Sequence, residues 1–392
     1  MRHASLTRRK LLLIAAGASM VRPVLAGEAD GLSSLLAARW QQRYGGKAGG
    51  LTFYALTPKG EFFATTLDGI TAQSHFRGAS TTKTFTAAAI MLLDQQGRLK
   101  IDDVLTAPMP GKTEPYLPDT SGFAIPYKGQ ITIRQLLSHR AGVFDIANQP
   151  VPEGLPLPYS GKSYLEWQLK QDPNHSFTED ELIGVLAATQ ASNSKPGESY
   201  HYSDSHFTIL GKIVERVSGT RLDQFNSREL LAPNGLKNTH FVVDGHETTL
   251  PPPAISGFSL QDGKVTPHDD YNYSYDPGSG NVFTTPADLT RWIRRLVRGE
   301  AGISPAQVAR MCDVVPDSQY GLGISHKVSG SFDLGFGHNG GTEGYLTDLA
   351  YNPATDMAYV LVSSLIDFDA LVDEIIWLDA TAAAALQLIA KS

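Results

Sequence analysis

A single cysteine, Cys312, in 392 residues rules out an intramolecular disulfide and any thiolate set for a metal. It lies in a helix-like segment opened by Ser304-Pro305 and reads as a small core residue rather than a nucleophile. Positive charge is also scarce. Lys and Arg number 33 against 40 Asp and Glu, a formal net charge of −7, so the basic footprint that nucleic acid requires is missing. No apolar run is long enough to cross a bilayer; Thr381 to Ala390 falls short of the roughly 20 residues required and reads as a packed helix. There is no H-E-x-x-H pair, Walker loop, Rossmann glycine pattern or G-x-S-x-G elbow. His268-Asp269-Asp270 reads as a solvated loop rather than a ligand set. The expectation is a chain with no metal and no cofactor.

What is present fits a soluble globular protein. A 42% hydrophobic and 19% charged content, over this length, suits one large or two interleaved domains. Thr7-Arg8-Arg9-Lys10, the apolar run Leu11 to Ala16 and the small residues of Val24-Leu25-Ala26 predict a secretory signal over residues 1–26. The paired arginines point to the twin-arginine route, hence a periplasmic or secreted protein. Loss of that segment, with its five basic residues and no acidic ones, takes the formal charge from −7 to −12.

Leu32 to Arg43 has helical apolar spacing, and Leu51 to Ala55 with Glu61 to Thr66 reads as a hairpin around Pro58-Lys59-Gly60. A long middle region of short helices follows, with capping signals at Thr132, Thr178 and Thr285-Pro286. Strand-like segments return only late, at Phe332 to Phe336, Gly344 to Tyr351 and Met357 to Val362, before a final helix from Asp367. This order predicts an α/β fold. An antiparallel sheet built from both chain ends (27–99 and 291–392) would be flanked by the terminal helices, with a mostly helical domain (100–290) inserted.

Ser80-Thr81-Thr82-Lys83 starts the apolar run Thr84 to Leu93. This spacing puts a hydroxyl and an amine one helical turn apart, and a helix start at Ser80 would aim its backbone N–H at a developing negative charge. Nucleophile, cation and oxyanion donor are three parts of an acyl-transfer site. A second copy, Ser192-Asn193-Ser194-Lys195, is a decoy, because Pro196 pushes Lys195 out of helical geometry.

Two further elements follow in order: Tyr200-His201-Tyr202-Ser203-Asp204 before a helix-like run, and His338-Asn339-Gly340-Gly341 after a strand. Together with Ile131 to Gly142 and Gly278 to Leu289, they resemble the serine β-lactamase and penicillin-binding protein superfamily. The branch most resembled holds the D-alanyl-D-alanine carboxypeptidases, class C β-lactamases and related esterases and D-aminopeptidases. The resemblance implies an α/β plus all-helical arrangement with the site in the groove between. It also implies Ser80 as nucleophile, Lys83 beside it, and an oxyanion hole from the backbone of Ser80 and Gly341. Tyr202 becomes the general base and acid, preferred over Tyr200, and its phenol is expected to be brought down from about 10 by Lys83 and His338. Asp204, Asn339, Gly340, Tyr275 and Ser325 become the substrate-contact candidates.

Three departures bear on substrate. Asp204 stands where the pattern has Asn, and an ionised carboxylate accepts but does not donate. Ser325 stands where the carboxypeptidase relatives have an Arg that grips a carboxylate, with His326 and Lys327 as possible substitutes. Asn339 and Gly341 replace the assisting threonines. The expected function is a serine hydrolase of D-amino-acid peptides of the peptidoglycan type. The alternatives are a class C-like β-lactamase, an esterase, a D-aminopeptidase, or a penicillin-binding sensor that acylates without turnover. The partner is a small peptide, ester or β-lactam.

Overall fold

The structure, a computed structural model, describes residues 26–392. The export signal expected over residues 1–26 therefore lies outside the described residues, save its last one. Six antiparallel strands form the main sheet: β1 (Leu51–Thr57), β2 (Gly60–Thr65), β3 (Ser325–Ser329), β4 (Phe332–Thr342), β5 (Tyr345–Asn352) and β6 (Met357–Ser363). Their spatial order is β2-β1-β6-β5-β4-β3, so strands from both chain ends meet where β1 pairs with β6, Phe53 opposite Leu361. The central strands are buried on both faces; all eight residues of β5 are buried.

Helices cover both faces. The terminal helices α1 (Ala26–Tyr44) and α5 (Leu371–Lys391) pack on one face, where Leu36, Trp40, Leu378 and Leu386 join Phe53 and Tyr359 in one apolar cluster. The other face carries α4 (Pro286–Val297), opened by the Thr285 cap with Pro286 in its first turn. The helix after Ser80, α2 (Thr82–Gln95), is buried from Thr82 to Leu93, so it is a core helix rather than an amphipathic one. Trp292 of α4 anchors it, stacking on Phe85 at 4.2 Å and donating its indole N–H to Thr84 Oγ1 at 2.8 Å. Beside α2 runs α3 (Asp204–Ser218), and the shorter helices Ile133–Leu137 and Glu179–Thr189 begin at Thr132 and Thr178, whose side chains cap them.

Two expectations about strands need correction. Strands also occur in the middle region, at His240–Phe241, Phe258–Gln261, Lys264–Pro267 and Val282–Thr284. Each has two to four residues, too few for a periodic signal; all but Lys264–Pro267, which only closes a local hairpin on Phe258–Gln261, are held by long-range pairing. The strand expected to stop at Phe336 runs on to Thr342, so His338 to Gly341 lie within it rather than after it.

Candidate active site

Ser80 does not open the long helix. It sits in a 3₁₀ turn, Ala79–Thr81, immediately before α2. Ala79 holds a left-handed φ of +49°, a conformation costing an L-residue about 1 kcal/mol or more. The turn is held by β4. Beyond Gly337 that strand has no partner on the β3 side, and the segment His338 to Thr342 runs beside Ser80. A Cβ on Gly340 would lie 2.4 Å from the Gly78 carbonyl oxygen and 3.3 Å from Ser80 N. Gly340, expected at the substrate, therefore packs against the Ser80 turn instead. Gly340→Ala should cost roughly 1–3 kcal/mol and lower kcat/KM on the order of 100-fold by shifting Ser80. Urea melts and steady-state kinetics check both. Gly341 borders the cleft, and a side chain there would meet only apolar side-chain ends at 3.4 Å or more.

Lys83 is fully buried, with Nζ 2.9 Å from Ser80 Oγ, 3.0 Å from the Ser279 carbonyl and 2.5 Å from Asp204 Oδ1. The first two are hydrogen bonds that Nζ donates, and the third is an ion pair. Asp204 is one of three carboxylates here. Asn148 Nδ2 bridges Asp204 Oδ2 at 2.8 Å and Asp145 Oδ2 at 2.9 Å, and Asp276 accepts from the Ser279 hydroxyl. Burial first, and the Asp204 charge second, raise Asp145 to about 7 and Asp276 to about 8. The folded chain thus holds a proton on Asp276 where the unfolded chain does not. That stability is present below the unfolded carboxyl range near pH 4 and is lost as pH rises through 8. Asp276→Asn should therefore shrink the drop in melting temperature between pH 5.5 and 8.5. An unchanged drop would show that Asp276 is ionised throughout.

For Tyr202 the expected direction is reversed. Burial, then the Asp204 charge, push the phenol well above its usual range, against a smaller opposing effect of the Ser80 hydroxyl. The charge of Lys83, 4.9 Å from the ring centre, is already balanced by Asp204. His338 supplies no cationic field either. Burial and Lys83 lower it to about 3, and its Nε2 meets the Tyr320 hydroxyl at 2.9 Å. Tyr200 is likewise raised, to about 12, by burial.

The remaining candidates divide. Tyr275 lines the cleft, its hydroxyl 3.0 Å from both Thr342 Oγ1 and Glu343 Oε2, and Ser325 lines it at the start of β3. The Asn339 side chain is drawn away toward Lys327 and Asp379, because strand alternation turns it opposite to His338. Lys327 is buried with Asp348 and Asp379, each at 3.0 Å, and His326 pairs with Asp333 at 3.1 Å, so neither replaces the missing Arg. Cys312 ends a short helix, its thiol pushed up to about 12 by burial. The decoy Ser192 bonds the carbonyls of Gly142 and Ser194 outside any helix, and Lys195 is exposed.

The structure adds residues that the motifs do not single out. His139 packs at 4.2 Å on the Tyr202 ring, and its Nδ1 meets His206 Nδ1 at 3.0 Å. His206 Nε2 accepts from Val143 N, so His206 donates from Nδ1 to His139, which also accepts from Ser203 N. Burial lowers both rings, His206 to about 3. Asp145, Asn148 and Asp276 are the other additions. Among the described residues no cluster suits a metal ion and no helix is long and apolar enough to cross a membrane.

The cleft has two adjoining halves that share Ser80, Asn148, Asp204 and Gly341. The smaller, about 160 Å³, carries Asp204, Asp276, Glu166 and Glu343. The larger, about 680 Å³, carries Tyr200, Tyr202, Tyr320, Ser325 and His338. No Lys or Arg lines either half.

A nucleophile-type Ser beside a buried Lys, with a Tyr opposite and a free strand edge alongside, is an arrangement suited to acyl transfer. The family model described as Beta-lactamase matches residues 45–382. The chain belongs to the β-lactamase family. It is 28% identical over 221 residues to Protein flp of Staphylococcus aureus, covering 55% of this chain and 37% of that protein. The match thus spans little more than a third of that relative's length. Among solved structures, the fold is similar to a D-amino acid amidase from Ochrobactrum anthropi SV3 (20% identity, TM-score 0.73, 94% of this chain and 100% of that one). A D-stereospecific amidohydrolase from Streptomyces sp. matches at 21% identity and TM-score 0.69, over 88% and 95%. By family and fold the chain is a member of the serine β-lactamase and penicillin-binding protein superfamily.

Proposed function

We propose that this β-lactamase-family hydrolase opens amides or esters through an acyl-Ser80 intermediate, on substrates whose acyl half carries a free amine. D-aminoacyl amides, esters and the amino ends of D-amino-acid peptides are the substrate class. One observation carries this reading: a cleft bearing the carboxylates of Asp204, Glu166 and Glu343, beside a protonated Asp276, without a Lys or Arg on its lining. An anionic, partly desolvated site attracts an ammonium group and repels a carboxylate. A carboxypeptidase or a β-lactamase must hold a substrate carboxylate, so the same observation disfavours both. The D configuration rests on the family resemblance and on the named activities of the two fold neighbours.

The proton path follows from the charges. With the substrate ammonium beside the ionised Asp204, Lys83 releases a proton to solvent and, as the amine, accepts the Ser80 proton across 2.9 Å. Ser80 Oγ bonds to the carbonyl carbon while the backbone N–H groups of Ser80 and Gly341 hold the oxyanion. Tyr202, protonated at rest, gives its proton to the leaving group as the acyl bond breaks, and Lys83 restores it. Water then releases the acyl group by the reverse path. Export to the periplasm or beyond, through residues 1–26, belongs to the same reading.

The test uses D-alanine amide and D-alanine methyl ester against their N-acetyl forms. The free-amine substrates should be turned over faster, and Asp204→Asn should raise the N-acetyl over free-amine ratio of kcat/KM about tenfold, the effect of roughly 1.4 kcal/mol. Equal change in both series would make Asp204 part of the proton machinery alone. Turnover of neither series, with an adduct persisting for hours by intact mass, would favour the sensor.

A further inference from the structure

The two halves of the cleft differ in more than size. Tyr202, the proton donor for the leaving group in the reading above, lines only the larger half, so the leaving group occupies that side. Its volume of about 680 Å³ holds far more than ammonia or methanol, given roughly 30 Å³ per water. The smaller half, at about 160 Å³, suits a small aminoacyl group such as alanyl.

The floor of the larger half is apolar where it meets the C-terminal helix. Leu346 of β5 and Leu371 and Ile375 of α5 line it. The same helix start continues the apolar surface outward. Val372 and Ile376 are 71% and 61% exposed, and Phe368 just before α5 is 40% exposed and borders the smaller half. Val372 and Ile376 stand one turn apart on α5 and so share one side of it, next to the side that carries Leu371 and Ile375. Large apolar side chains left in water in a contiguous strip mark a binding surface. This strip is continuous with the site lining and lies beside a half-cleft with no cation.

We propose that the leaving-group subsite takes an uncharged alkyl group, so that the preferred substrates are aminoacyl esters or amides of a long-chain alcohol or amine. The alkyl chain lies over Leu346, Leu371 and Ile375 and continues along Val372 and Ile376. In the acylation step Ser80 Oγ bonds to the carbonyl carbon, the bond to the alkoxy oxygen breaks, and that oxygen takes the Tyr202 proton and leaves as the neutral alcohol. The proposal rests on the acyl-Ser80, free-amine reading and adds the chemistry of the other half.

The experiment is a series of D-alanine ethyl, butyl, hexyl and octyl esters, each below its aggregation concentration. From ethanol upward the alcohols leave with nearly equal ease, so the series reports binding. In the unaltered protein, kcat/KM should rise at least tenfold from ethyl to hexyl. Full burial of each added CH₂ allows far more, and partial burial reduces it. Ile375→Asn should cut the hexyl-to-ethyl ratio at least fivefold. Val372→Ser, on an exposed helix position with little bearing on folding, should cut the octyl-to-hexyl ratio. A flat series in the unaltered protein, or unchanged ratios in both variants, overturns the proposal. Sedimentation of the same variants supplies the remaining outcome: if Val372→Ser alters the oligomeric state and not the series, the strip is a contact between copies, and the proposal fails. No turnover of even the ethyl ester would count against the free-amine reading itself, which distinguishes the two failures.

Discussion

Ser80→Ala should lower turnover by about 10⁴-fold or more, leave no adduct with a fluorophosphonate, and still give a folded protein. The loss is large because the proposed mechanism has no second route. Without Oγ no acyl-enzyme forms, and the remaining oxyanion donors hold a carbonyl that nothing attacks. Folding should survive, since Ser80 makes no cap bond for α2 and the turn is held by Ala79, Thr81 and Gly340. The Thr81 hydroxyl bonds the Gly78 carbonyl at 2.8 Å, independent of residue 80. Stability should shift by about 1 kcal/mol or less, because the hydrogen bonds removed, with Lys83 and Tyr202, belong to a partly exposed hydroxyl. Intact mass after fluorophosphonate treatment, followed by peptide mapping, reads the adduct, and urea melts read the fold. Turnover at the native rate, or an adduct mapped to another residue, would remove Ser80 from the role of nucleophile.

The parts of this site that were legible in the sequence are those set by local geometry. Ser80 and Lys83 are one turn apart in any helical conformation, so the 3₁₀ turn at Ala79–Thr81 changes the helix start without separating them. Asp204 beside Lys83 followed from the family resemblance alone, since the two motifs lie far apart in the chain. The β-hairpin and the threonine caps were equally local. Asn339 was named by the resemblance alone; it borders the larger half, while the two-residue period of the strand through Thr342 turns its side chain toward Lys327 and Asp379. Asp145, Asn148 and Asp276 carry no such signal. They reach Lys83 through loops far apart in the chain, and nothing in their immediate sequence separates them from solvated acids. The upward shift of Tyr202 was hidden for a related reason. It depends on how deeply the ring is buried and on the Lys83 charge already being matched, neither of which spacing reports.

Lys83→Met should lower kcat/KM by about 10³-fold and destabilise the fold by roughly 3–5 kcal/mol at neutral pH. Methionine keeps the length of the side chain inside a fully buried channel, so packing changes little and the charge is what is lost. Asp204 then faces Asp145 and Asp276 with no cation paired to it, and only Asn148 still donates to its carboxylate. An unpaired buried carboxylate either stays charged at a high cost or takes up a proton, and both outcomes weaken the fold most where the solvent pH favours ionisation. The stability deficit should therefore shrink as pH falls toward 4. Adding Asp204→Asn removes the stranded charge. The double variant should recover most of the lost stability, to within about 1 kcal/mol of Asp204→Asn alone, while activity stays low because the base for Ser80 is still absent. That split between a rescued fold and an unrescued rate separates a catalytic Lys83 from a structural one. If the two substitutions add in stability, the Lys83–Asp204 pair at 2.5 Å contributes little, and the charge argument for Tyr202 and for the free-amine substrate loses its basis.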